Sequence, residues 1–193
     1  MFAKPDTLVC LSGGLDSIVL VECMRAAGRF GGALHFVYQH PAQSYERRAV
    51  MAVRRRLHLK GETAPILDVD LPLRAAALAA GVGRSGPRVV AARNLVMLSM
   101  AANIAASMGL SRVAIGATLA DADGYADCRP DYLDTVSKLV APFGVEVVAP
   151  LSTLNRERVR QCAERFGVPQ GEPWSCYQPS DGQPCGACDS CCQ

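Results

Sequence analysis

Five of the nine cysteines fall in the last eighteen residues, and four of them, Cys176, Cys185, Cys188 and Cys191, follow the pattern C-x₈-C-x₂-C-x₂-C. Four thiolates at two-residue spacings suit tetrahedral Zn²⁺, and a site filled by four protein ligands leaves no open position for chemistry. The spacing therefore predicts a structural zinc that pins a short tail, 169–193, against a larger domain, 1–168. A redox dithiol or an incidental thiol cluster is the alternative. Cys192, beside Cys191, competes for the place of fourth ligand, with Cys191 favoured by spacing.

Near the other end, Ser12, Gly13, Gly14, Leu15, Asp16 and Ser17 follow an apolar run and open a stretch of helical period. Adjacent glycines let backbone amides approach an anion closely, and the Ser12 and Ser17 hydroxyls add donors. The loop is built like a phosphate cradle, but no Gly-Lys-Ser/Thr follows, so it is not a Walker loop. Asp16 would repel bare phosphate, and its presence predicts Mg²⁺ between carboxylate and phosphate oxygens. The plain alternative is a tight strand-to-helix turn in which Asp16 and Ser17 start the helix.

A second cluster lies just past a predicted strand end, where open α/β sheets bind ligands. Asp121, Asp123 and Asp127 crowd around Gly124, Tyr125, Cys128 and Arg129. A tyrosine can stack on a flat ring while carboxylates accept its N–H groups, and Arg129 can pair with a carboxylate or phosphate. Those groups suit a guanine-like base. Arg93 and Asn94, opening the preceding helix, are candidates for the same pocket; for them, and for Asp127 before Pro130, ordinary helix-start chemistry is the competing reading.

The elements that must position these residues alternate in period. Short β-branched runs near 7–11, 33–38, 64–69, 112–117 and 145–149 are separated or followed by helical patterns near 16–27, 44–58, 91–108, 130–143 and 153–166. That pattern predicts an α/β fold, a five-stranded parallel sheet with helices on both faces. The stretch 71–90 reads as a short Ala-rich helix giving way to Gly, Ser and Pro, a flap beside the site. Neither a secretory signal nor a membrane-length apolar run is present in the sequence, so the expected setting is reducing cytoplasm, where clustered cysteines hold metal more often than they pair. A net charge of +2 does not demand nucleic acid. Arg47, Arg48, Arg54, Arg55 and Arg56 read first as a solvated helix face, with anionic-ligand contact or RNA docking as the alternatives. His35 reads as structural, and His40, just past a strand end, either as a contact to ribose or adenine or as a loop residue with no role.

Taken together, the loop of residues 12–17 resembles that of the ATP pyrophosphatase (PP-loop) superfamily, with its Rossmann-like adenine-nucleotide α-hydrolase fold. With "ARN", "DADGYADCRPDY", "SCY" and "CGACDSC" in this order, nearly the whole chain resembles the 7-cyano-7-deazaguanine synthase family. The resemblance implies an AMP-forming carbon–nitrogen ligase that converts 7-carboxy-7-deazaguanine and ammonia to the nitrile through adenylates and an amide, with zinc on the tail cysteines and a homodimeric assembly. It implies ATP on Ser12, Gly13, Gly14, Leu15, Asp16 and Ser17, and substrate on Arg93, Asn94, Asp121, Tyr125, Asp127, Cys128 and Arg129. Asp16, Asp127 and Arg129 are the catalytic candidates, with Asp127 as base or amine-orienting group. No membrane and no nucleic acid is required.

The chain departs from the family pattern in places. "YQHPAQSYE" stands where Tyr-Gly-Gln-Arg-His is usual, Ala91-Ala92 where Pro-Gly precedes Arg-Asn, Ala126 in place of a proline, and Arg156 for a lysine. These departures bear on substrate geometry more than on reaction class. Competing readings are a variant that stops at the amide or passes the activated deazaguanine to another acceptor, a tRNA sulfur transferase with Cys128 carrying persulfide, and a non-enzymatic zinc-ribbon module binding nucleic acid.

Overall fold

The computed structural model describes residues 4–74 and 90–192, so most of the expected Ala-rich helix and flap, 75–89, lies outside the described residues. Five parallel strands form one sheet: β1 (Thr7–Cys10), β2 (Phe30–Gln39), β3 (Ile66–Arg74), β4 (Arg112–Ala114) and β5 (Glu146–Val148), in the order β3-β2-β1-β4-β5. Because the order reverses between β1 and β4, their carboxyl ends splay apart and leave a crevice.

Helices cover both faces, as expected. Leu8, Leu34, Phe36 and Val113 point to one face, where they pack with α3 (Arg93–Ser107) and α5 (Pro130–Val140). Val9, Ala33 and Ala114 point to the other, against α1 (Leu15–Ala26), α2 (Gln43–Leu59) and α6 (Arg156–Phe166). Short α4 (Leu119–Gly124) and α7 (Asp189–Cys192) complete the helices among the described residues.

Local chemistry sets the ends of these elements. Pro130 occupies the first turn of α5, where a missing N–H costs nothing, and Leu133, Val136 and Val140 form its buried stripe. The Asn155 side chain accepts from the Arg158 N–H, so α6 starts at Arg156, later than the hydrophobic pattern alone suggests. β3 runs to Arg74, through Pro72; as the sheet's edge strand it tolerates a residue without an N–H. β2 begins three residues early because Gly31 packs against Leu110, whose Cδ2 would lie 2.6 Å from an added Cβ.

α3 starts under strain. Ala92, its N-cap, sits at φ 57°, ψ 19°, in the left-handed region that disfavours a Cβ. Ala92→Gly is expected to raise stability by roughly 0.5 kcal/mol, the relief of strain exceeding the extra entropy of the unfolded glycine. Urea unfolding should show a higher midpoint at unchanged slope; a lower midpoint would show the strain to be negligible.

Candidate active site

A cavity opens at the carboxyl ends of β1, β2 and β4. Cys10, Leu11, Ser12, Gly14, Asp16 and Ser17 form its floor, Phe36, Tyr38 and Glu46 one wall, and Arg93, Asn94, Asp121, Tyr125 and Cys128 the other.

Hydrogen bonds among the floor's own groups hold its shape. Ser17 Oγ donates to the Gly14 carbonyl (2.8 Å) and accepts the Gly13 N–H (3.2 Å), while Gly14 N–H donates to Ser12 Oγ (3.2 Å). Gly13 has φ 91°, and a Cβ there would fall 2.8 Å from the Glu46 carbonyl oxygen, so only glycine fits between loop and α2. No side chain caps α1 at Gly14, which leaves its first turn facing the cavity with donors for an anion. Opposite, Gly116, two residues past β4, packs so close to α1 that an added Cβ would lie 3.2 Å from the Ser17 backbone nitrogen.

Two carboxylates share this space. Asp121 caps its own helix, its Oδ2 accepting the Thr118 N–H (2.9 Å) and hydroxyl (2.7 Å). Burial pushes the Asp16 carboxyl up to about 6, the charge of Asp121 pushes the same way, and Arg156 and a backbone hydrogen bond oppose them. Two carboxylates beside a phosphate-shaped loop are a donor set that fits Mg²⁺.

The far wall is apolar and aromatic with a few fixed polar groups. Tyr177 lies beside Tyr125, and burial, then the neighbouring Tyr125 hydroxyl, raises its own hydroxyl far above the usual range. Arg93 Nη1 lies 3.4 Å from the Tyr38 hydroxyl; burial works against its charge, and Tyr38, Tyr177 and Asp127 outweigh that. Asn94, nearly buried, donates through Nδ2 to the Asp127 carbonyl (3.2 Å) and to Cys128 Sγ (3.4 Å). Its backbone N–H donates to Asp127 Oδ2 (3.3 Å). Burial, then the charges of Asp121 and Asp127, push the Cys128 thiol up to about 12.

The structure thus gathers Ser12, Gly14, Asp16, Ser17, Arg93, Asn94, Asp121, Tyr125 and Cys128 around one space. Gly13 and Leu15 support the floor from behind, and Asp127 sits one layer out, tied to α3. Arg129 is exposed and directs Nε at the Ala122 carbonyl (3.3 Å), outside the cavity. Sequence reasoning did not single out Tyr38, Glu46 or Trp174, and gave Ser175 and Tyr177 of "SCY" no site role, yet all five line the cavity. It left His40 between a nucleotide contact and no role; its Nε2 lies 3.3 Å from the Glu46 carboxylate and its ring lies against Tyr38.

Residues of the tail form the roof. Trp174 N–H donates to the Gly13 carbonyl (2.9 Å), its ring stacks on Tyr45 at 4.3 Å, and its indole N–H donates to the Cys176 carbonyl (2.9 Å). Immediately beyond, the Sγ atoms of Cys176, Cys185, Cys188 and Cys191 all lie within 4.8 Å of one another. Thiolates at about 2.3 Å from a tetrahedral zinc stand about 3.8 Å apart. The 188–191 and 185–191 separations are 3.4 and 4.0 Å, so the four thiols fit that ion. The side chain of Cys192 lies outside the described residues.

Comparison with known proteins places this arrangement. A family model described as "Queuosine biosynthesis protein QueC" matches residues 6–193. The chain is 34% identical to a 7-cyano-7-deazaguanine synthase of Erythrobacter litoralis, over 98% of this chain and 86% of that protein. It is 36% identical to one of Novosphingobium aromaticivorans, over 97% and 87%. Among solved structures it resembles an NMN synthetase of Francisella tularensis (TM-score 0.59, 16% identity, 97% of this chain and 71% of the other). It also resembles the U34-tRNA thiolase NcsA of Methanococcus maripaludis (TM-score 0.59, 14% identity, 96% and 63%). At those identities the two structures share the fold alone.

Proposed function

We propose, from the premise that this chain belongs to the QueC family of queuosine biosynthesis proteins, that its cavity carries out the synthesis for which its relatives are named, that of 7-cyano-7-deazaguanine. The enzyme is an ATP-dependent ligase. The observation that carries the reading is a single cavity joining a phosphate-shaped loop and two carboxylates to a ring-sized aromatic pocket.

In this reading 7-carboxy-7-deazaguanine lies between Tyr125, Tyr177 and the α3 start, and Arg93 draws its carboxylate toward the loop. A carboxylate oxygen attacks the α-phosphorus of ATP and pyrophosphate leaves. Ammonia adds to the acyl carbon, loses a proton, and AMP departs to give the amide. A second ATP adenylates the amide oxygen; loss of the two amide protons with AMP gives the nitrile. The first-turn amides of α1 take up charge on the phosphates, and positioning supplies most of the acceleration. Mg²⁺ bound with ATP would offset phosphate charge, and Asp16 and Asp121 are the residues to hold it. Zn²⁺ on the four tail cysteines would be structural. The bond from Asn94 N–H to Asp127 favours Asp127 as a positioning group, and exposed Arg129 takes no part.

A cytoplasmic homodimer acting on small molecules, with nucleic acid not required, extends the proposal. No helix among the described residues is long and apolar enough to cross a membrane. A thiol raised to about 12 is a poor persulfide carrier, which argues against a sulfur-transfer role for Cys128.

Mass spectrometry of the protein with Mg-ATP, ammonium and 7-carboxy-7-deazaguanine is the test. Substrate-dependent AMP with nitrile is expected. Amide that accumulates without nitrile would mark a variant confined to the first step, and no substrate-dependent AMP from folded, zinc-loaded protein would overturn the reading.

A further inference from the structure

One of the five arginines read as a solvated helix face is largely withdrawn from solvent. The Arg56 side chain is 13% exposed and lies between Glu22 of α1, 5% exposed, and Glu172 of the tail, 6% exposed. Its Nε donates to both Glu172 oxygens (3.0 Å each), Nη2 donates to Glu172 Oε1 (2.8 Å), and Nη1 donates to Glu22. Glu22 also accepts from Arg25 (2.8 Å) and has Lys60 Nζ at 3.9 Å; Arg25 reaches on to Glu62 (3.1 Å). Burial alone would raise the Glu22 carboxyl, but Arg56, Arg25 and Lys60 hold it below its ordinary value.

This network joins three pieces of chain that meet at the cavity: the helix that opens from the phosphate loop, the helix behind it, and the tail. Glu172 stands two residues before Trp174, whose N–H is bonded to Gly13, and three before Ser175, which lines the cavity. A multidentate guanidinium–carboxylate pair fixes direction as well as distance. The four-thiol cluster holds the tail only beyond Cys176, so it cannot by itself fix the stretch that precedes it.

We infer that Arg56 is a positioning residue for the active site: through Glu172 it sets the tail stretch 172–175 as a roof over the phosphate loop, ahead of the four-thiol cluster that begins at Cys176. The inference rests on the reading of the cavity as the ATP and deazaguanine site. Arg56 touches no cavity residue's reacting group and acts through Glu172 and Trp174.

Trp174 is the only tryptophan in the chain, so its emission reports the roof directly. Arg56→Met is expected to shift that emission to the red, increase iodide quenching, and raise KM for ATP about tenfold, with kcat changed less than about threefold and zinc content unchanged. Arg56→Lys, which keeps charge but loses the multidentate geometry, should recover part of the KM loss. Should Arg56→Met be unfolded by circular dichroism, Glu172→Gln decides, because it leaves Arg56 paired with Glu22. Folded variants with native Trp174 emission and native KM would overturn the inference, as would a red shift accompanied by loss of zinc. If the native protein formed no substrate-dependent AMP, the functional reading would fail while the emission of Trp174 still tested the latch.

Discussion

Asp16→Asn should remove substrate-dependent AMP formation, by about 10³-fold, and at the same time stabilise the folded chain. Both effects come from one placement. Asp16 sits at the first turn of α1, facing the cavity and the charge of Asp121, where its carboxyl is raised from an ordinary 3.8 to about 6. At neutral pH it is nevertheless ionised, and the fold bears the cost of desolvating it beside a like charge. A carboxyl with a raised folded-state pKa destabilises the native state above that pKa, and the cost fades as pH falls toward 3.8. A shift of two units corresponds to about 3 kcal/mol, and partial exposure reduces what is measured to about 2. Urea unfolding of ligand-free protein should therefore show Asp16→Asn more stable than native at pH 7.5, with the gap narrowing at pH 5 and closing near 4. A gap that does not change with pH would remove the electrostatic explanation. Retained AMP formation would remove Asp16 from the machinery. The expected pairing of a stabler fold with a dead site is that of a residue kept for function.

The separation between what the sequence disclosed and what it hid follows the range of the interactions involved. The loop at residues 12–17 was legible because a phosphate cradle is local: Gly13, Ser12 and Ser17 build it from their own backbone and hydroxyls. The five strands were legible because both sheet faces are covered, so Leu8 to Cys10 and Val113 to Ala114 read as continuous apolar runs, and Leu34 to Val37 as one interrupted only by the buried His35. Strand lengths were harder. Gly31 looks like a breaker until Leu110, far along the chain, is seen to fill the space its side chain would take.

Site residues supplied from a distance were the ones missed. Glu46 carries no sequence signal because its place beside the loop and His40 depends on α2 folding back over the loop. Trp174 and Tyr177 lie near Cys176, whose spacing to the later cysteines is a local signal, whereas their own places in the cavity depend on Gly13 and Tyr125, far away in the chain. Arg129 shows the reverse error of range: adjacency to Cys128 suggested the pocket, but the 3₁₀ turn Ala126–Cys128 carries the two side chains apart, Cys128 inward and Arg129 to solvent. Arg56 is indistinguishable in sequence from its neighbours, since what draws it out of solvent is Glu172, on the tail.

Loss of a tail thiol should also damage activity severely, by a different route. Cys188 is the most buried of the four, 1% exposed, and its Sγ lies 3.4 Å from that of Cys191. Its own N–H donates to Cys185 Sγ (3.3 Å), and the Cys185 N–H to Cys176 Sγ (3.2 Å), so the backbone of the turn is already folded toward sulfur. Cys188→Ser replaces a soft ligand with a weakly acidic hydroxyl, and the zinc-bound form should give way to a metal-free one, because binding and folding of so short a tail are one process. The cavity feels this through Cys176, whose carbonyl receives the Trp174 indole N–H, and through Tyr177, which lies against Tyr125. The expected result is zinc content near zero, red-shifted Trp174 emission and AMP formation reduced at least about 100-fold, with far-UV circular dichroism close to native because the sheet and its helices hold their own cores. The Arg56 latch predicts a further distinction: without zinc the stretch up to Trp174 should stay partly docked, so Cys188→Ser combined with Glu172→Gln should expose Trp174 to iodide more than either change alone. A zinc-free Cys188→Ser protein with native emission and native AMP formation would show that the tail is not the roof of the site.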